Sequence, residues 1–344
     1  MNYNDISVFG LELVKDKINS RAKLDTGTFC NYGCSFCYYI DKLDQVTELE
    51  VIKQRAKTIR DFGMKEIDLS GGESSLHKNW FEILDYCREL GFENISCLTN
   101  GFKFADKDFT MKSKEHGLSE VLISLHGWNS ESHAHIVKRK GSFEKILKAI
   151  ENAKELDLKI RLNCTVTSYN APNLLEYANL VNKIMPFQIN FLPLNYWQAA
   201  EQLPAESYEI LSHAIKAAID VIDKSIHINV RYIPFCFMSG YEKYVVDTYQ
   251  LIFDQEDWNM IAYDVETIEY WLNPTIKSYF DRARDIRAKF YAKKPECFTC
   301  KYFSICDGVE KTVQSSQTVY PVAGDIIKDV LHFRRNHSLH LKST

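Results

Sequence analysis

The sequence predicts an α/β protein: a parallel sheet curled into an open, partial (βα)6 barrel, with a small C-terminal α+β extension. Three observations lead there. From about residue 23 to 192 short β-rich runs alternate with helical patterns. The strands recur about every 25 to 35 residues with one helix between them, which is the βα unit of a parallel sheet with buried strands. Beyond residue 200 the alternation fades, and cysteines gather a second time between residues 297 and 306. The expected organisation is an N-terminal extension over 1–22, a barrel core over 23–200, and an extension over 201–344 whose cysteine-rich region runs from 236 to 310.

The expected strands are residues 23–28, 66–70, 93–99, 120–125, 159–167 and 187–192. Between the first two, Leu49, Ile52, Ala56 and Ile59 share one helical face; before the fifth, Phe143, Ile146, Ile150 and Ala153 share another. Gly141-Ser142 and Ala171-Pro172 are conventional helix starts ahead of Phe143 and Leu174. After the barrel, residues 207–223 read as a helix and 227–233 as a further strand. Residues 251–270 hold six acidic side chains and no Lys or Arg, and a basic stretch over 281–294 leads into the second cysteine cluster. No internal repeat or low-complexity segment stands out.

At 344 residues, 45% of them hydrophobic, the chain can bury a sizeable core. Its 42 Lys and Arg against 46 Asp and Glu give a net charge of −4, which points to neither nucleic acid nor an anionic membrane as a partner. The first residues lack the basic and apolar regions of a secretory signal, and no stretch reaches the length of a membrane span. A soluble, cytoplasmic protein is expected. Ten cysteines in a chain of that kind argue for metal or cluster ligation rather than disulfides.

The most informative run holds Cys30, Cys34 and Cys37, a CxxxCxxC array with Phe36 just before its last thiol. Three thiolates are a soft ligand set, yet they do not complete the four-thiolate shell usual for zinc or a [4Fe–4S] cluster, so one metal position is left open. The plainer alternatives are a zinc knuckle that borrows a ligand such as His77, or three buried thiols. The array falls just after the first strand, at the strand ends where barrels of this type carry their chemistry. One βα unit later, Ser70-Gly71-Gly72-Glu73 ends the second strand; paired glycines admit close backbone approach, and the carboxylate can pair with an ammonium.

Together these motifs resemble the radical S-adenosylmethionine (radical SAM) superfamily over roughly residues 20–200. The resemblance implies a [4Fe–4S] cluster on Cys30, Cys34 and Cys37 whose unique iron binds SAM, with the methionine amino group of SAM held by Gly71, Gly72 and Glu73. Later strand ends fit more loosely. Asn100 ends the third strand, Ser124 and Asn163 become contacts to the SAM ribose, Leu192 packs near adenine, and Phe36 packs beside the cluster. The implied reaction takes an electron from reduced flavodoxin or ferredoxin, cleaves SAM to methionine and a 5′-deoxyadenosyl radical, and abstracts hydrogen from an unactivated C–H bond.

Cys297, Cys300 and Cys306 resemble the start of the SPASM/twitch extension of the same superfamily, which binds auxiliary [4Fe–4S] clusters. The SPASM pattern expects another Cys four positions after Cys306, where this chain has Glu310, and no cysteine follows. One auxiliary cluster remains available if Cys236 joins Cys297, Cys300 and Cys306 in a closed four-thiolate set; structural zinc is the alternative on ligand count. Such a cluster favours an oxidation, epimerisation or cross-link, an oxidoreductase-like outcome, over a reaction that merely regenerates SAM. Cys87, Cys97 and Cys164 read as core residues. His126, Trp128, His133 and His135 form a histidine-rich loop after the fourth strand that faces substrate, binds metal or is simply solvated, and Tyr38, Tyr39, Tyr196 and Trp197 sit at strand ends.

The substrate is the least legible feature. Only about 22 residues precede the first strand, too few for a folded leader-peptide-binding domain, which leans the reading toward a small polar metabolite such as a sugar or nucleotide. The alternatives are maturation of a ribosomally made peptide and, from a different class, a non-catalytic zinc-binding scaffold or regulator.

Overall fold

A computed structural model describes residues 21–61, 63–195, 206–246, 288–313, 317–329 and 332–333. The expected acidic run over 251–270, the basic stretch up to residue 287, Tyr196, Trp197 and the extension over 1–20 lie outside the described residues.

The chain order is β1 (Arg21–Asp25), α1 (Leu49–Asp61), β2 (Glu66–Ser70), α2 (Trp80–Glu89), β3 (Asn94–Thr99), α3 (Lys107–Glu115) and β4 (Glu120–Ser124). It continues with α4 (Ser130–Val137), α5 (Ser142–Glu155), β5 (Lys159–Val166), α6 (Leu174–Ile184), β6 (Gln188–Pro193), α7 (Tyr208–Val221) and β7 (His227–Val230). Strands β1 to β7 pair in sequence order, all parallel. A two-stranded antiparallel ribbon, β8 (Tyr291–Ala292) with β9 (Val309–Glu310), belongs to the C-terminal extension.

Register explains the layers. One face of the sheet carries rows such as Leu24–Leu69–Cys97–Val121–Ile160 and Ile123–Leu162–Ile189–Ile228, all buried. Helices α1 and α5 cover this face with Ile52, Ala56 and Ile59, and with Ile146, Ile150 and Ala153. Each such side chain stabilises the fold by about 1.5–3 kcal/mol on burial. Most alternate positions are polar, Leu98, Leu122 and Leu192 excepted. Arg21 of β1 bonds Asp68 of β2 and Glu120 of β4 at 2.9 and 3.0 Å, and Arg161 of β5 reaches back to Asp68 at 3.3 Å. Side chains from strands this far apart meet only across the concave face of a curled sheet, so the ion pairs themselves report the barrel curvature.

Two features depart from the expected pattern. The sheet has seven strands rather than six, because His227–Val230 extends it beside β6 instead of belonging to a separate extension. Two helices rather than one connect β4 to β5. The histidine-rich segment is a helix, started by a capping box in which Asn129 accepts from the Ser132 backbone N–H at 2.8 Å and Ser132 Oγ takes that of Asn129. No helix among the described residues is long and apolar enough to cross a membrane.

Candidate functional site

The cysteine loop lies directly on the glycine turn. Gly72 N–H donates to Gly27 O at 2.9 Å and Glu73 N–H to Phe29 O at 2.8 Å. A Cβ on Gly71 would stand 2.0 Å from Gly27 O, and one on Gly72 would stand 2.0 Å from Phe29 O. Both glycines are therefore required by the approach of the chain's own backbone at Gly27 and Phe29, three residues and one residue before Cys30. The far side of the loop is tied to the end of α4, where Gly33 N–H donates to Val137 O and Ser35 N–H to Ile136 O. Tyr32 packs on Ile136 and Val137 in a small apolar cluster that Cys30, Cys34, Phe36 and Phe102 border.

Asn100, at the end of β3, fastens these parts. Its backbone N–H donates to Glu73 Oε2 at 2.6 Å, and its side-chain amide donates to Asn31 Oδ1 at 2.8 Å and reaches Cys30 Sγ at 3.8 Å. Glu73 is 1% exposed; besides Asn100 it accepts from Thr99 Oγ1 at 2.8 Å and from the Ser75 hydroxyl. Burial raises its pKa, against the lowering effect of those donors. The carboxylate is turned into the protein, toward β3, with protein donors on both of its oxygens. Of the two glycines, Gly71 lines the pocket at the strand ends.

Burial pushes the Cys30 thiol up to about 11 and raises Cys34 and Cys37 as well; Cys30 and Cys34 are further raised by neighbouring thiolates. Three soft sulfur donors on one short loop suit a metal cluster, whose positive charge would favour their thiolate form. Among the described residues no three His, Cys, Asp or Glu side chains form a site for a single metal ion.

A pocket opens at the C-terminal strand ends beside this loop. Among the expected site residues it gathers Phe36, Cys37, Gly71, Asn163 and Leu192. Ser124 pairs in register with Asn163, whose Oδ1 accepts from Asn190 Nδ2 at 2.8 Å. Sequence reasoning missed three polar residues of this pocket: Lys23, Asn195 and Tyr232. Lys23 is 3% exposed and pairs with Asp25 at 3.0 Å, and Tyr39 donates to the other Asp25 oxygen at 3.0 Å. The alternation Arg21, Lys23, Asp25 within a buried strand was the available signal for a polar lumen face. Asn195 accepts from Tyr291 Oη at 2.8 Å, so the extension touches the pocket wall.

The histidines support the site from behind. His126 is buried, accepts the Thr165 backbone N–H at Nδ1 (3.0 Å) and meets Phe36 edge-on at 4.8 Å. His133 Nδ1 accepts the His126 N–H, and burial lowers its pKa to about 4. His135 stacks on Tyr169 at 4.2 Å, and Trp128 packs on the same ring at 6.4 Å. Neutral, backbone-bonded imidazoles of this kind hold the chain between β4 and α4 in place.

The second cysteine set also converges. Cys236, Cys297, Cys300 and Cys306 line one small cavity of about 20 Å³, together with Phe235, Lys293 and Phe303. Burial pushes Cys236 up to about 11, with Cys297 and Cys300 adding to it. Glu310 does not line this cavity; it is buried in β9, where its carboxylate accepts from the Thr312 hydroxyl. Cys87, Cys97 and Cys164 are buried in the core as expected.

A model of the Radical SAM superfamily matches residues 24–176. A Methanocaldococcus jannaschii protein named probable GTP 3′,8-cyclase is 30% identical over 233 residues, covering 65% of this chain and 72% of its own length. Its namesake from Saccharolobus solfataricus is 27% identical over 210 residues, covering 59% and 67%. Among solved structures, Streptococcus suis SuiB bound to S-adenosylmethionine superposes with a TM-score of 0.62 at 13% identity, over 88% of this chain and 75% of that one. At that identity the likeness is one of fold.

Proposed function

This chain belongs to the radical SAM superfamily, and on that premise we propose that it cleaves SAM reductively and activates a C–H bond of a small, polar, nucleotide-like substrate. In this reading Cys30, Cys34 and Cys37 hold the SAM-binding [4Fe–4S] cluster, and Cys236, Cys297, Cys300 and Cys306 hold an auxiliary one. The SAM-bound cluster supplies the electron and, from SAM, the 5′-deoxyadenosyl radical. The chain's own residues bind and orient. Gly71 and Gly72 offer backbone to the methionine amino group, while Glu73 acts at one remove by fixing Asn100. Ser124 and Asn163 face the ribose; Phe36, braced by His126, and Leu192 flank the adenine. Lys23, Asp25 and Tyr39 form a polar wall against which substrate is positioned near the radical. Reduced flavodoxin or ferredoxin is the proposed electron donor.

The observation that carries this reading is the single pocket that brings Cys37, Phe36, Gly71, Asn163 and Leu192 together at the strand ends. The substrate class is supported by the polar side chains of Lys23, Asn163 and Asn195 in the lining and by the nucleotide named for the curated relatives. The test is anaerobic reconstitution with iron and sulfide, then dithionite and SAM, with 5′-deoxyadenosine quantified by mass spectrometry. Its formation, lost when Cys30, Cys34 and Cys37 are all replaced by Ala, is the expected result. A colourless protein carrying stoichiometric zinc would overturn it in favour of a scaffold.

A further inference from the structure

We propose that Lys293 is the charge-compensating residue of the four-cysteine cavity, an ammonium that favours the reduced state of the cluster held there and so sets its potential. The inference rests on the reading of Cys236, Cys297, Cys300 and Cys306 as an iron–sulfur site. Lys293 follows β8 directly, lines the cavity with those four thiols and is 7% exposed. Its Nζ lies 4.5 Å from the centroid of the Phe303 ring, which lines the same cavity. No carboxylate among the described residues forms an ion pair with it; Cys306, Asp307 and Cys297 act on it at longer range.

A buried ammonium without a paired carboxylate is costly, by the general cost of burying a single ion. Nothing in the fold forces a lysine here for packing alone, since an apolar side chain would suit a wall made of Phe235, Phe303, Val319 and Pro321. An anion in the cavity removes the difficulty. A cluster on four thiolates is such an anion, and each electron added makes it more negative, so a fixed cation beside it stabilises the reduced form most. The lysine is also anchored: Gly308, two residues after Cys306, packs so closely on its strand that a Cβ there would stand 2.2 Å from Ala292 O and 2.9 Å from Lys293 N. The cation and the last thiol are therefore held on adjoining backbone.

The experiment uses the full chain carrying Cys30→Ala, Cys34→Ala and Cys37→Ala, reconstituted anaerobically so that only the auxiliary site contributes, and follows a redox titration by electron paramagnetic resonance. Lys293→Met is expected to keep the parent's iron content and titrate at a more negative potential, and Lys293→Arg to return close to the parent. An intact cluster with unchanged potential in Lys293→Met overturns the inference. Loss of iron from Lys293→Met but not from Lys293→Arg reads the same charge requirement as occupancy; loss from both makes Lys293 a packing residue and overturns it. A parent that holds zinc or no iron overturns the cluster reading itself, and this inference with it.

Discussion

Glu73 accepts the backbone N–H of Asn100 at 2.6 Å, and the side chain of Asn100 in turn reaches Cys30. The carboxylate of the glycine turn and the first thiol of the cysteine array are thus the two ends of one hydrogen-bonded chain. Glu73→Gln replaces one of two carboxylate oxygens, which between them accept from three donors, by an amide donor, and a conflict of that kind in a buried site costs about 1–3 kcal/mol. The expected outcome is SAM affinity lowered by roughly tenfold with cluster iron retained, a change of about 1.4 kcal/mol. Anaerobic calorimetry with iron analysis checks it, and unchanged affinity would remove Glu73 from this role.

The glycines give a sharper contrast. Gly72→Ala forces a Cβ against Phe29 O, so the cysteine loop must move off the turn. A Cβ on Gly33, inside the array itself, would have its nearest neighbour, Lys138 Cβ, at 3.8 Å. Gly72→Ala should cut iron incorporation several-fold, by the overpacking penalty of about 1–3 kcal/mol, while Gly33→Ala should incorporate iron normally. Equal iron in both variants would show that the contact with Phe29 is not what holds the loop.

What was legible in the sequence was what is local or periodic. The CxxxCxxC run, the glycine turn and the apolar faces of α1 and α5 are set by spacings within a few residues. What depends on the curl of the sheet was not. Lys23 faces the pocket and Lys293 the second cavity only once distant strands have closed on them, and the direction of Glu73 is decided by Thr99 and Asn100, some 26 and 27 residues away. The seventh strand escaped the barrel count because it has only four residues and follows a helix of 14, where the alternation seemed to have ended.

The buried ion pairs at the other end of the barrel predict an acid transition. Burial alone would raise the pKa of Glu120, but Arg161, Arg21 and Lys159 outweigh it and hold the carboxyl at about 2, below its ordinary 4.5. A carboxyl with a depressed native pKa contributes stability in full above its unfolded value and loses it as pH falls from there toward the native one. The window is therefore pH 4.5 down to about 2, with a contribution on the order of 3 kcal/mol at stake. Glu120→Gln should destabilise strongly at pH 7, by about 3–5 kcal/mol because two buried guanidiniums lose a partner. The gap from the natural chain should narrow on acidification below pH 4.5. Denaturant melts of both proteins across this range decide it; a gap independent of pH would contradict the assignment.

The bond from Tyr291 to Asn195 joins the C-terminal extension to the pocket wall. Tyr291 Oη donates to Asn195 Oδ1 at 2.8 Å, both residues are buried, and Asn195 Nδ2 is buried with no partner among the described residues. With its oxygen held by the tyrosine, the amide of Asn195 is left with its donor side free in a residue that lines the pocket. Tyr291→Phe removes the hydroxyl without removing the ring, and Asn195→Ala removes the amide. Each should destabilise by about 1 kcal/mol, and the double variant by less than the sum, because both changes delete the same hydrogen bond. Additive losses in a double-mutant cycle would mean that the two residues do not act as a pair. A coupling of about 1 kcal/mol would instead establish that the extension, which also carries the second cysteine set, orients a residue of the pocket.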